Sequence, residues 1–259
     1  MCTLNPHGDG KVPASARVRA YPVAEKHGAI WIWMGSPDRA DESTIPDFSI
    51  CGQPQNHTTV SGYLHVRANY QLITDNLLDL SHTPYIHPGL TSRGNPRTVH
   101  EVRQDDDDTV WSLLWRYGAF PNALLAQWWP AEKQGDHYAH MRWNAPSAFL
   151  LNVGLTESGQ PESEGVRTPN VHFLAPETEI STHYFWAFVL PAESGAEVIA
   201  ATRAGADQAF ANEDIPTIEA QQANAPRGEL ALLDCGLLAT DSAAIRARKV
   251  LQRRIAAEA

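Results

Sequence analysis

The chain has 259 residues, 43% of them hydrophobic and 19% charged, which is enough to bury a substantial core and too polar overall for an integral membrane protein. A formal net charge of -10 argues against nucleic-acid binding, which rests on clustered Lys and Arg. Cys2, Cys51 and Cys235 stand far apart with no CxxC or CxH pair, which excludes a disulfide framework and an all-cysteine metal site.

In chain order, residues 1–10 carry neither the basic nor the apolar region of a secretory signal, and no apolar run is long enough to span a bilayer. Cytoplasmic residence is the expectation. Residues 1–50 are rich in Gly and Pro, with a strand expected over 17–23 that pairs with the apolar run GAIWIWMG at 28–35. Two strands are marginal alone, so this opening reads as an incomplete β domain. An apolar helix is predicted over 69–80, interrupted at Thr83-Pro84. Strand composition follows at 109–115, 149–153 and 183–190, spaced for one antiparallel sheet. The run Asp105 to Asp108 between strand candidates reads as a solvated loop. Helices are expected at 215–223 and 241–257, the second with an N-cap at Asp241-Ser242. Strands flanked by helices at both ends make an α+β fold.

The segment at 75–87, DNLLDLSHTPYIH, carries the chemistry. On a helix, Asn76, Asp79 and His82 are three apart and share one face. His87, five beyond His82, would point elsewhere in an unbroken helix, but a break at Pro84 could aim both imidazoles at one point, the irregular backbone functional sites often show. Two imidazoles and one carboxylate form the facial triad of non-haem Fe(II) oxygenases, with positions left open for dioxygen and substrate. The bland alternative makes Asp79 a helix cap and the histidines ordinary polar residues near a turn. Polar stripe, apolar flank and proline break together favour a metal site.

Asn76 to His87 resembles the N-x-x-D-x-x-H-x-x-x-x-H motif of Rieske non-haem iron oxygenase α subunits, nearest the vanillate O-demethylase group. The resemblance extends to Tyr21-Pro22-Val23, to IWIWMG at 30–35 and IPDF at 45–48, and to HFLAPETE at 172–179 with STHYFW at 181–186. It implies residues 1–50 as the closing remnant of a Rieske [2Fe-2S] domain and 51–259 as a catalytic mononuclear iron domain, with a helix-grip antiparallel sheet and flanking helices. It also implies His82 and His87 as Fe(II) ligands with Asp214, in FANED at 210–214, as the third. Glu213 and Asp207 stay open as fallback ligands, and Asp214 is also an N-cap candidate ahead of Pro216. In this family the residue matching Asp79 bridges to a cluster-binding histidine of a neighbouring subunit in a homotrimer. A hydrogen bond from such a carboxylate to a ligand histidine would serve equally. Asn76 is expected to support the same site, and His172 to meet the substrate, with a satisfied sheet histidine as the alternative. Trp111, Trp115, Trp128, Trp129, Trp143 and Trp186 are candidates to line an aromatic pocket, with most of them expected in the core.

A Rieske centre needs two Cys and two His in paired loops, and no such pair occurs here. The [2Fe-2S] ligands are therefore expected to precede Met1 in the natural gene or to have been lost. The resemblance implies hydroxylation or O-demethylation of a vanillate-like aromatic acid with O2, electrons coming from a flavin and iron-sulfur reductase. Alternatives are a ring-hydroxylating dioxygenase or N-demethylase, a non-catalytic small-molecule-binding module, and a zinc hydrolase.

Overall fold

The computed structural model describes residues 9–52, 55–105, 108–225 and 236–258, and the chain divides into two compact units at Gly52. Cys2, His7 and Cys235 lie outside the described residues.

Among its described residues the first unit contains one hairpin, β1 (Val23–Lys26) with β2 (Ala29–Ile32), antiparallel and registered Val23 to Ile32. The pairing strand begins at Val23, so the strand expected over 17–23 is not formed. The reason is the two-residue turn. His27 and Gly28 both have positive φ, 58° and 74°, the geometry of a type I′ turn that fixes which residues flank it. Cys51 is half-buried and free, and burial pushes its thiol pKa up to about 11. A protonated thiol is a poor metal ligand.

The second unit is built on an eight-stranded antiparallel sheet among the described residues. Its strands are β3 (His57–Val66), β4 (Arg97–Gln104), β5 (Thr109–Ala119), β6 (Gly135–Asn144), β7 (Ala148–Thr156), β8 (Val166–Arg167), β9 (Asn170–Thr178) and β10 (Ser181–Pro191). The order is β3-β10-β9-β7-β6-β5-β4, with β8 on β7. In β5, Val110, Ser112, Leu114 and Arg116 are buried while Trp111, Leu113 and Trp115 between them are partly exposed, the two-residue period of a strand with one covered face.

Helices cover that face: α1 (Tyr70–Leu78), α3 (Ala196–Ala206), α4 (Ile215–Asn224) and α5 (Ser242–Glu258), with a single turn, α2 (Thr83–Ile86). Asn69 caps α1 by accepting from Gln71 N at 2.9 Å. Leu72, Ile73, Leu77 and Leu78 of α1 join Met141, Trp143, Phe149 and Trp186 of the sheet in one core cluster. Each such burial contributes roughly 1.5–3 kcal/mol. In α5 the buried set Ala243, Ala244, Ala247, Val250 and Leu251 follows the helical repeat. Small alanines let this helix lie close. None of the described helices is long and apolar enough to cross a membrane.

The sheet and flanking helices match the expected α+β class. Two departures shape the site. Helix α1 ends at Leu78, before the expected 80, because Asp79 adopts φ −90°, ψ 83° and begins a 3-10 turn, Leu80–His82. The helix therefore breaks ahead of Pro84, which sits in the first turn of α2 where its ring is tolerated. Between α3 and α4 the chain continues as a π-helical stretch, Asp207–Asp214, which no sequence periodicity announced.

Candidate metal centre

Each ring of the histidine pair is aimed by a local feature. His82 closes the 3-10 turn, and its Nδ1 bonds the backbone oxygen of Asp79. His87 ends α2 with φ −116°, ψ 67°, held by its own N–H on Thr83 O at 2.9 Å. Its Nδ1 bonds Glu213 Oε2 at 2.7 Å. Because a carbonyl and a carboxylate can only accept, each Nδ1 carries a proton, and the neutral tautomer this selects turns an Nε2 lone pair inward on each ring.

The two Nε2 atoms are 3.1 Å apart. Asp214 Oδ1 lies 3.1 Å from His87 Nε2 and 3.6 Å from His82 Nε2. Three electron-rich atoms thus face one another in a largely buried site, Asp214 being 6% and His87 4% exposed. That arrangement repels itself unless a cation sits at its centre. Burial disfavours charging His87, but the Asp214 and Glu213 carboxylates outweigh it and raise its pKa above the ordinary value. The same field that draws a proton draws a metal. Donors about 2.1 Å from one ion and at right angles to each other stand about 3 Å apart, so the observed spacing fits a small divalent cation. Among the described residues this is the group of three that could hold one.

The π-helical stretch explains how neighbours Glu213 and Asp214 both reach the same imidazole. Asp214 closes the stretch, makes no capping bond, and accepts from Asn76 Nδ2 at 3.1 Å. Asn76 thereby links α1 to the centre. Of the open alternatives, Glu213 takes the outer side of His87, and Asp207 does not join the cluster.

Asp79 takes the capping role that the sequence left open as an alternative. Its Oδ1 accepts from Ser81 N at 2.9 Å and Ser81 Oγ at 2.5 Å, so the carboxylate caps the turn, and the bond to His82 comes from the backbone. The carboxylate that orients a ring of the histidine pair is Glu213, through His87 Nδ1.

A cavity of about 110 Å³ opens beside the three donor atoms, walled by Leu114, Met141, Leu151, Val153, Phe188 and Phe210. None of the tryptophans raised as pocket candidates lines it. His172 does, but it is 1% exposed with both ring nitrogens occupied, by Tyr184 Oη at 2.8 Å and Asn170 Oδ1 at 2.7 Å. Burial pushes its pKa down to about 3. Four further polar side chains of the cavity, Arg116, Asn122, His137 and Asn170, escaped the sequence reading.

Residues 66–257 match the family described as the vanillate O-demethylase oxygenase C-terminal domain. The chain belongs to this family of Rieske-type oxygenase components. The dicamba O-demethylase oxygenase component of Stenotrophomonas maltophilia is 34% identical over 98% of this chain and 75% of that protein. A crystal structure of dicamba monooxygenase bound to 3,6 dichlorosalicylic acid is similar with a TM-score of 0.88 and 33% identity, covering 99% of this chain and 76% of that one. Another, described with non-heme iron and dicamba, gives 0.80 and 32% over 99% and 75%. Rieske oxygenases of this family are non-haem iron monooxygenases and demethylases, with a [2Fe-2S] cluster as the second metal group.

Proposed function

We propose that this chain houses the mononuclear iron centre of an oxygenase that demethylates or hydroxylates a substituted aromatic acid. The observation that carries the reading is the convergence of His82 Nε2, His87 Nε2 and Asp214 Oδ1 at 3.1–3.6 Å with both imidazole protons turned outward. Ferrous iron bound there supplies dioxygen activation.

The chain's own residues do the rest. Glu213 fixes the tautomer and orientation of His87, and Asn76 holds Asp214 Oδ1 in place. The apolar wall of the cavity keeps bulk water from the reacting carbon. An aryl methyl ether hydroxylated at its methyl group becomes a hemiacetal, which collapses to a phenol and formaldehyde. The aromatic-acid reading leans on the acid named in the dicamba monooxygenase complex.

Electrons would come from a flavin and iron-sulfur reductase through a Rieske cluster, and the hairpin unit ending at Gly52 would be the closing part of that cluster's domain. In a homotrimer, Asp79 would serve the path between subunits. Its Oδ1 is taken by Ser81, and Oδ2 is the oxygen proposed to face a partner.

The test bypasses the electron donor. Iron-loaded chain receives hydrogen peroxide, which supplies both oxidising equivalents and the oxygen atom, together with methoxybenzoate isomers, and formaldehyde is measured. Release that disappears in His82→Ala supports the reading. Equal release from both proteins, or none from iron-loaded wild type, refutes it.

A further inference from the structure

Two charged or titratable residues lining the cavity beside the metal centre, Arg116 and His137, have no assigned role. Arg116 on β5 and His137 on β6 are direct cross-strand partners in the antiparallel register, so both side chains stand on the covered face. They are 5% and 3% exposed, and both line the cavity.

Their hydrogen-bonding state sets them apart. Arg116 donates from Nη2 to Thr83 Oγ1 at 2.9 Å, and among the described residues no carboxylate pairs with it. Neither ring nitrogen of His137 has a partner. A buried guanidinium without a counter-ion and a buried imidazole without a bond are both costly, and native interiors rarely keep such groups side by side without a use.

The other polar groups of the cavity are already spoken for. Asn122 gives Nδ2 to Leu90 O and takes Leu125 N on Oδ1. His172 is bonded to Tyr184 Oη and Asn170 Oδ1, and Asn170 Nδ2 reaches Thr168 O. Thr83 Oγ1 donates to Leu80 O and accepts from Arg116, while Asn76 holds Asp214. Unused donor capacity therefore concentrates at the Arg116–His137 pair.

We propose that Arg116 and His137 form an anion seat that selects an aromatic monoanion, a carboxylate or sulfonate, over its neutral analogue. This deepens the oxygenase reading and rests on it for the identity of the ring's reacting substituent. One fixed guanidinium balances one negative charge, and its planar fork matches two oxygens of such a group. The His137 ring, held neutral because burial and the neighbouring Arg116 charge depress its pKa to about 3, offers one N–H to a further lone pair. Thr83, bonded to Arg116, directly follows His82 in the chain. The seat therefore adjoins the turn that carries the metal-binding histidine, and the apolar wall receives the ring.

The test uses chelator-treated full chain, so that neither metal nor turnover enters. Calorimetric titration compares methoxybenzoate, methoxybenzenesulfonate and neutral methoxybenzamide, each as ortho, meta and para isomers. The carboxylate and sulfonate arms distinguish the two sources of anion. At least one anion should bind about tenfold or more tightly than its amide. Arg116→Met should bring that anion to the amide's affinity, and Arg116→Lys should restore part of the difference. In the ligand-free state Arg116→Met should melt no lower than wild type, because it removes an unpaired buried charge.

Anion and amide bound alike, no binding by any anion, or anion preference surviving in Arg116→Met would each overturn the proposal. So would an Arg116→Met protein that melts well below wild type, since Arg116 would then be structural. If anion preference holds but the peroxide assay yields no formaldehyde, the demethylation reading alone fails.

Discussion

Glu213 accepts a hydrogen bond from His87 Nδ1 at 2.7 Å, while Asp214, the next residue, stands 3.1 Å from the same ring's Nε2. One π-helical turn thus addresses both nitrogens of one imidazole. Replacing the outer partner tests what that bond is worth. Glu213→Gln should weaken Fe(II) affinity about 10–100-fold with little change in melting temperature, as read by chelator competition. Unchanged affinity would show that His87 is oriented by its backbone position alone.

His172 is held by Tyr184 Oη and Asn170 Oδ1 and has no free ring nitrogen. His172→Phe strands two buried partners, and denaturant unfolding should show a loss of about 1–3 kcal/mol. A variant as stable as wild type would show that neither bond supports the fold.

Gly62 faces Trp186 across β3 and β10, and a Cβ there would lie 2.2 Å from the indole ring. Trp186 is 2% exposed, so its indole is enclosed by the core. Gly62→Ala should therefore cost about 1–3 kcal/mol, measured by thermal melting. A neutral result would mean that the indole has room to shift.

Burial lowers the pKa of His137 to about 3, of His140 to about 4 and of His172 to about 3, from the ordinary 6.5. The folded pKa values lie below the unfolded ones, so the stability these neutral rings confer is intact above about pH 6.5 and erodes as pH falls from there. Between about pH 6.5 and 5 each contributes a loss of up to roughly 2 kcal/mol. His87, shifted upward, offsets part of one. Melting temperature in metal-free protein should drop steadily from pH 7 to 5, and a flat profile over that range would contradict the burial of these rings.

How much of this was legible in sequence depended on local spacing. His82 and His87 could be paired because both lie within one short segment and a helix break could bring them together. The place of the break could not be read, since it depends on Asp79 leaving helical geometry to cap Ser81, a competition between side chain and backbone that spacing does not reveal. Glu213 and Asp214 sit on a π-helical stretch that has no simple apolar period. Arg116 and His137 meet only through strand register. The available signal was parity: Val110, Ser112 and Leu114 mark the buried positions of β5, and Arg116 continues them. A charge in that series is out of place unless something is bound there.

Iron binding by this chain rests on the three donors of His82, His87 and Asp214. Anaerobically purified protein, incubated with Fe(II) and desalted, should retain one iron per chain in wild type and almost none in His82→Ala and Asp214→Ala. Equal iron in wild type and both variants would contradict it.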